Sequence, residues 1–178
     1  EIASCYSMTE PQAGADPGEF LCTATRDGNE WVINGEKWFA SHARFSAFLL
    51  VMVVTDPEAP IHQGASIFLV EQGTPGMDII RNSAVGPYVE QGDGVHAYIS
   101  FKDCRVPAHN LLGEEGQGFH VAQTRLGGGR VHHAMRTVGV IRKALDMMCE
   151  RAVSRRTKGE LLADKQMTQE KIADAYTM

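Results

Sequence analysis

The segment 5–16 (CYSMTEPQAGAD) concentrates groups that can hold a polar, planar ligand. The hydroxyls of Tyr6 and Thr9 and the backbone N–H groups around Met8 and Thr9 are hydrogen-bond donors within a few residues of one another. Pro11 favours an extended backbone at the residue before it, because the proline ring crowds that residue out of the helical region. We therefore expect a turn-rich loop whose donors converge on a ligand with several acceptors.

A second segment with aromatic and hydroxyl groups, 38–41 (WFAS), follows a predicted β-hairpin. The predicted strands are 21–26 and 31–34, and the turn that joins them is DGNE at 27–30. The two aromatic residues, taken alone, are more typical of a protein core than of a binding site. Their place directly after the hairpin is what connects them with the first segment.

The two segments resemble the flavin-binding part of the acyl-CoA dehydrogenase family. The motifs that carry the resemblance are Tyr-x-Met-Thr-Glu-Pro-x-Ala-Gly-x-Asp at 6–16 and VINGEKWFAS at 32–41. Further matches follow in the family's order, with VP at 106–107, NLLG at 110–113, GQGF at 116–119, RRTKG at 155–159, LL at 161–162 and KQ at 165–166. The resemblance spans essentially all 178 residues.

The pattern of apolar residues predicts strands up to about residue 110 and helices after Gly118. The expected strands are a continuous apolar run at 48–55, buried on both faces, and alternating stretches at 65–71 and 95–101, with a loop at 57–63. A second helix is expected from about Leu162. One face of a long first helix is predicted to carry Val131, Met135, Val138, Ile141, Leu145, Met148 and Ala152.

The resemblance implies an α+β protein. Residues 1–112 would form the family's middle domain, an antiparallel β-barrel or sandwich, and 113–178 the incomplete start of a C-terminal helical bundle. One long helix and part of a second cannot bury their apolar faces by themselves. We therefore expect the sequence to belong to a longer chain, with a helical domain before Glu1 and more of the bundle after Met178.

The charge and the apolar runs exclude some partners. Lys and Arg total 17 against 22 Asp and Glu, and the net charge of −5 argues against nucleic acid or an anionic membrane surface. The longest apolar run, 47–54, is too short to span a bilayer. The expected location is the cytoplasm in a bacterium, and the mitochondrion or peroxisome in a eukaryote.

The cysteines and histidines do not predict a metal site. The cysteines at 5, 22, 104 and 149 lack C-x-x-C spacing, and we expect them to be free, buried thiols. The adjacent His132 and His133 point in different directions on a helix and cannot share a metal ion.

FAD is the cofactor that the resemblance implies. Phe39 stands where most relatives carry Trp, and Ser41 stands near the flavin N5 and O4 atoms, where relatives carry Thr or Ser. The residues expected at the flavin ring are Tyr6, Met8, Thr9, Phe39, Ala40 and Ser41.

A basic segment is expected to reach the FAD of a neighbouring subunit, because guanidinium groups suit a diphosphate. Its residues are Arg155, Arg156 and Thr157 at the pyrophosphate, and Lys165 and Gln166 near the adenine. Lys158 replaces the Phe of most relatives, which removes an aromatic contact. This arrangement implies a homo-oligomer, either a dimer or a dimer of dimers. From composition alone, the same cluster is more typical of a solvated helix end.

The acyl-CoA substrate is expected at Ala15, Gly127 and Arg130, by the same resemblance. Relatives often carry Ser in place of Ala15 and Asp in place of Gly127, so two polar contacts are absent. The run Gly127-Gly128-Gly129 is costly in a helix, at roughly 1 kcal/mol per glycine relative to Ala. Such a cost suggests close approach of a ligand or of another helix, or a kink.

The implied reaction is α,β-dehydrogenation of an acyl-CoA thioester, with hydride transfer to flavin N5. Electrons would then pass to an electron-transfer flavoprotein. The family's base is a carboxylate, most often late in the bundle and thus beyond Met178, or directly before the arginine that Arg130 matches, where this chain has Gly129. No catalytic residue is therefore assigned, and Glu10 is expected to serve local structure.

Two other functions stay open. One is a flavin oxidase or monooxygenase on the same fold, which reaction of the reduced flavin with oxygen would distinguish. The other is a non-catalytic binding or assembly module, favoured by Ala15, the glycines at 127–129 and the missing base. A downstream carboxylate facing flavin N5 would exclude the module. The acyl chain length and branching cannot be read from this segment.

Overall fold

The computed structural model describes residues 3–83 and 96–178. The chain forms two compact units, Glu1–Thr124 and Arg125–Met178. The predicted division after residue 112 stays a prediction, but the first turns of the long helix belong to the first unit. Ala122 is fully buried in that unit, and a Cβ on Gly118 would lie 2.7 Å from the backbone of Ser66.

The first unit is built on a curled sheet. Its strands among the described residues are β1 (Ser4–Ser7), β2 (Thr23–Asp27), β3 (Glu30–Ser41), β4 (Phe48–Val54), β5 (Ala65–Glu71), β6 (Met77–Asn82) and β7 (His96–Pro107). Among the described residues, strands are paired in the order β1-β4-β2-β3-β7-β6, with β5 also paired to β4. Most pairs are antiparallel, but β1 runs parallel to β4, and Thr23 forms a parallel pair with Val54. The α+β class is confirmed, whereas the parallel pairs were not predicted.

The apolar strand β4 separates two hydrophobic cores. Leu49, Val51 and Val53 pack into one core with Trp31 and Phe68. The alternate residues of β4 point the other way, because successive side chains of a strand face opposite sides. These include Met52 and Val54, which pack with Phe20, Ile67 and Ala122. The prediction of a strand buried on both faces is confirmed.

Other predictions for this unit need correction. Residues 5–7 of the expected loop belong to β1, and β6 occupies a stretch for which no strand was predicted. A short helix, α1 (Ile61–Gly64), begins inside the expected loop at 57–63. Strand β7 runs on to Pro107, and Val95, the predicted first residue of that strand, lies outside the described residues. Strand β6 was missed because only Met77 of its six residues is buried, so it shows no alternation of apolar and polar residues.

The second unit contains most of the predicted long helix. Helix α2 (Gly118–Ser154) is followed by the hairpin of β8 (Arg156–Thr157) and β9 (Glu160–Leu161). Helix α3 (Gln166–Thr177) begins four residues after the predicted start, because a 3-10 helix occupies Leu162–Asp164. None of the helices in the part of the chain that the structure describes is long and apolar enough to cross a membrane.

The predicted apolar face of α2 is largely open to solvent. Val131, Met135, Val138 and Ile141 are 57–68% exposed. The glycines at 127–129 lie inside an unbroken helix, and apart from the adjoining helix itself no described residue comes within 4 Å of a Cβ added to any of them. Within the second unit, no other described residue makes the close approach that their cost suggested.

Three of the four cysteines are buried, and Cys149 is exposed, which corrects the prediction that all four are buried. Burial raises the pKa of the Cys22 thiol to about 12 and that of Cys104 to about 11.

Since the thiolate is the nucleophile, we expect Cys5, Cys22 and Cys104 to resist iodoacetamide in the folded protein. Mass-spectrometric peptide mapping measures this, and labelling after unfolding in guanidinium is the control. Native-state alkylation of Cys22 would contradict its placement.

Candidate functional site

A buried ion pair joins the first predicted segment to β3. Lys37 Nζ lies 2.7 Å from Glu10 Oε1, and the two side chains are 0% and 1% exposed. The same ammonium donates to the Met8 carbonyl at 2.8 Å. One residue further along each segment, the Trp38 N–H donates to the Thr9 carbonyl at 3.0 Å. These bonds hold the loop 8–10 beside the strand that carries the second segment.

The Glu10 carboxylate is fully engaged by groups around it. It accepts from the backbone N–H of Leu21 at 2.7 Å, from that of Cys22 at 3.1 Å and from the side chain of Gln12 at 2.6 Å. Such bonds are what a buried charge requires, since an unpaired one is very costly. The structure thus gives Glu10 the structural role expected from the sequence.

The surroundings of Lys37 affect the pKa of its ammonium group in two opposite directions. Burial lowers the pKa of its ammonium group, while the neighbouring Cys22 and Glu10 oppose that shift. The charge also lies over the ring of Phe20, 4.3 Å from its centroid, where a cation–π attraction adds to the ion pair. Lys37 stands inside the motif at 32–41, but the sequence alone assigned it no role.

A β-bulge near the end of β3 presents the second segment. Lys37 pairs with Ile99 and Ala40 with Ala97, so Trp38 and Phe39 together lie opposite Tyr98. The extra residue places Phe39 at a φ of +52°, which costs of order 1–3 kcal/mol for a residue other than glycine. Strain of this kind persists only where the surrounding structure fixes the backbone, and bulges often re-aim side chains at sites.

His96 is a neighbour of the predicted site that the sequence did not reveal. It is the register partner of Ser41, and its Nδ1 lies 2.9 Å from Ser41 Oγ. Its ring also meets that of Phe39 edge to face, with centroids 6.4 Å apart. Finding this pair from sequence would have required the register of β3 against β7, which the bulge changes by one residue.

The remaining residues expected at the ring differ in exposure. Tyr6 and Met8 are half-buried and pack against the second core. The Ala40 side chain is fully buried in the first core, so any contact it makes with a cofactor would come through its backbone. Ala15, which was expected at the substrate and not at the ring, is exposed in the turn before the 3-10 helix at Pro17–Glu19.

The predicted basic segment lies in the second unit. Arg156 and Thr157 form β8, and Lys158 and Gly159 make a two-residue turn in which both φ angles are positive, as type I′ hairpins require. Arg156 Nη1 donates to the Gly159 carbonyl at 3.3 Å. Lys165 is also brought to this hairpin, where its Nζ lies 3.2 Å from Glu160 Oε2.

The predicted residues thus form separate groups. The structure joins the loop 8–10 to 38–41 in the first unit, and in the second it joins Lys165 to Glu160, the register partner of Thr157. Gln166 is the first residue of α3, and Arg130 lies on an exposed part of α2.

The end of β3 fits a planar, polar cofactor. The Trp38 Nε1–H is shielded from solvent and has no hydrogen-bond partner among the described residues. Beside it the Phe39 ring is 38% exposed, with the two ring centroids 4.5 Å apart. Together with the exposed hydroxyl of Ser41, these groups offer an aromatic surface and hydrogen-bonding atoms at one edge, which is what a flavin ring needs.

Comparison with protein families decides the relationship. The model for the acyl-CoA dehydrogenase middle domain matches residues 5–104, and that for the acyl-CoA dehydrogenase C-terminal domain matches residues 116–178. The chain belongs to the acyl-CoA dehydrogenase family. The resemblance inferred from the sequence motifs is confirmed.

Individual relatives agree with this assignment. The chain is 43% identical to FadE2 of Mycobacterium tuberculosis, named a probable acyl-CoA dehydrogenase, over 98% of this chain and 43% of that protein. Butyryl-CoA dehydrogenase from Megasphaera elsdenii superposes with a TM-score of 0.77 at 30% identity, covering 99% of this chain and 45% of that one.

A chain in the structure of the electron-transferring flavoprotein of Acidaminococcus fermentans gives a TM-score of 0.75 at 31% identity, with 99% of this chain and 45% of that one covered. The chain therefore spans less than half the length of each of these three relatives.

Breaking the buried ion pair from one side should destabilise the first unit. In Lys37→Met the Glu10 carboxylate stays buried without its cation, at an expected cost of about 3–5 kcal/mol in the free energy of unfolding. The double variant Glu10→Gln/Lys37→Met should recover part of this loss, because a neutral amide oxygen can still accept from the backbone. Denaturant unfolding of wild type, Glu10→Gln, Lys37→Met and the double variant gives the coupling energy.

Arg105→Met is the control for this cycle. Arg105 makes its ion pairs with Asp27 and Glu30 at the surface, so its loss should change the unfolding free energy little. Coupling near zero between Glu10 and Lys37 would show that the ion pair does not act as a unit.

Proposed function

We propose that the protein to which this chain belongs is an FAD-dependent acyl-CoA dehydrogenase that oxidises the α,β bond of an acyl-CoA thioester. The observation that carries the proposal is the junction of loop 8–10 with the bulge of β3. There Met8 and Thr9 accept hydrogen bonds from Lys37 and Trp38, which directly precede Phe39 in β3. FAD, when bound, supplies hydride acceptance at flavin N5.

The residues of the first unit would hold the flavin ring. Tyr6, Met8 and Thr9 would contact it from the loop, and Phe39 would provide the aromatic surface in place of the Trp of other members. Ser41 would offer its hydroxyl at the N5 edge. Because strain and packing fix the backbone at Phe39, these groups would need little rearrangement when the cofactor binds.

The hairpin β8–β9 would bind the rest of the cofactor. Arg155, Arg156 and Thr157 would bind the pyrophosphate, and Lys165 and Gln166 would lie near the adenine, in the FAD of a neighbouring subunit. This role of the hairpin is supported by the exposure of the Arg156 guanidinium. Its hydrogen bond to the Gly159 carbonyl is long, at 3.3 Å. A homodimer or a dimer of dimers follows from this part of the proposal.

The acyl-CoA would contact Ala15, Gly127 and Arg130, and the α-proton would go to a carboxylate outside residues 1–178. Electrons would leave to an electron-transfer flavoprotein. The likeness to a chain in the Acidaminococcus fermentans structure supports this partner. An oxidase on the same fold and a non-catalytic module are the competing functions.

The visible spectrum of the purified full-length protein, before and after anaerobic addition of a panel of acyl-CoA thioesters, tests the proposal. We expect a flavin band that is bleached by at least one thioester and recovers slowly in air. Rapid recovery in air, with release of peroxide, would favour the oxidase. A flavin band that no thioester bleaches would overturn the proposed substrate class, and protein that cannot be loaded with FAD would favour the module.

The role of the basic hairpin predicts a loss of cofactor affinity. Arg156→Ala should weaken FAD binding by roughly 10- to 100-fold, since a hydrogen bond to a charged group contributes about 1.5–3 kcal/mol. Quenching of flavin fluorescence during titration of the apoprotein measures the dissociation constant. Lys102→Ala, which removes an exposed cation from the β unit, is the control. Equal affinities for the two variants would remove Arg156 from the proposed site.

A further inference from the structure

We propose that His96 is a positioning residue for the flavin site, and that it acts by setting the direction of the Ser41 hydroxyl. The inference rests on the proposed function, because it takes Ser41 to face the flavin. The main observation behind it is the 2.9 Å contact between His96 Nδ1 and Ser41 Oγ. No motif of the sequence pointed to His96.

The backbone fixes both members of the pair. Ser41 is the last residue of β3 and His96 the first of β7, and they are register partners in the ladder. The His96 carbonyl also accepts from the Ser83 N–H at 2.8 Å. The edge-to-face contact with Phe39 further restricts the imidazole ring. The geometry of the contact is therefore determined by strand pairing as well as by the two side chains.

The imidazole decides what Ser41 can offer to a ligand. A hydroxyl has one proton and two acceptor lone pairs, and a neutral imidazole nitrogen either donates or accepts. When Nδ1 carries a proton and donates to Ser41 Oγ, the hydroxyl proton is free for an acceptor on the ligand. When Nδ1 accepts the Ser41 proton, only lone pairs face the ligand. The position of the proton on His96 thus determines whether the Ser41 hydroxyl can bond to an acceptor or to a donor at the flavin edge.

Without His96 the hydroxyl has a competing partner within the chain. Ser41 Oγ also lies 3.4 Å from the Phe39 carbonyl, a longer and weaker contact. Loss of the imidazole would leave this carbonyl as the acceptor inside the bulge. The hydroxyl proton would then point back into the protein and away from the cofactor.

The test uses four variants of the full-length protein: His96→Ala, His96→Asn, His96→Gln and Ser41→Ala. An Asn amide can place a donor or an acceptor near the position of Nδ1, whereas a Gln amide reaches toward the position of Nε2. We expect His96→Ala and His96→Gln to bind FAD about 2- to 12-fold more weakly and to shift the visible flavin band. His96→Asn should restore both properties toward wild type.

The double variant His96→Ala/Ser41→Ala separates positioning from a general structural role. If His96 acts through Ser41, replacing His96 should have almost no further effect on the flavin band or the FAD affinity in the Ser41→Ala background. Thermal unfolding of the apoproteins should differ little among the variants. Additive effects, or equal behaviour of the Asn and Gln variants, would overturn the proposal.

The outcomes also separate this inference from the proposed function. A wild-type protein that binds FAD, with a His96→Ala variant identical to it in band position and affinity, would overturn the role of His96 alone. A wild-type protein that cannot be loaded with FAD would overturn both. The Asn and Gln pair keeps the test decisive if His96→Ala fails to fold.

Discussion

The site in the first unit depends on the buried ion pair between Glu10 and Lys37. Removing two charges from water is expensive, and an ion pair alone rarely compensates for it. Here the carboxylate also accepts from two backbone N–H groups and from Gln12, and the ammonium donates to the Met8 carbonyl. The same bonds that satisfy the charges therefore fix the loop 8–10 against β3.

The bulge in β3 depends in turn on the attachment of loop 8–10 to this strand. It begins directly after Lys37, whose position is fixed by Glu10, and it ends at Ala40, which is fully buried in the first core. With both ends held, the residue between them can occupy an unfavourable region of φ. The strained Phe39 and the exposed Ser41 are consequences of firmly packed neighbours rather than of local flexibility.

Much of the β unit could be predicted from the sequence, because strands β4 and β5 and the β2–β3 hairpin have strong apolar or turn patterns. Strands β1 and β6 were missed because one is only four residues long and the other buries little of its surface. The motif residues of the site were recognised by resemblance. The roles of Lys37 and His96 depend on contacts across 27 and 55 positions of the chain, which no local pattern contains.

Because of the bulge, the geometry of the site also depends on how many residues lie between Lys37 and Ala40. Removing one residue there would restore a regular ladder, in which alternate side chains change sides of the sheet. The aromatic surface and the hydroxyl would then no longer project from the same place. A change in chain length at this point would therefore alter the site in a way that no change of side chain does, and an alignment gap here would separate proteins with different sites.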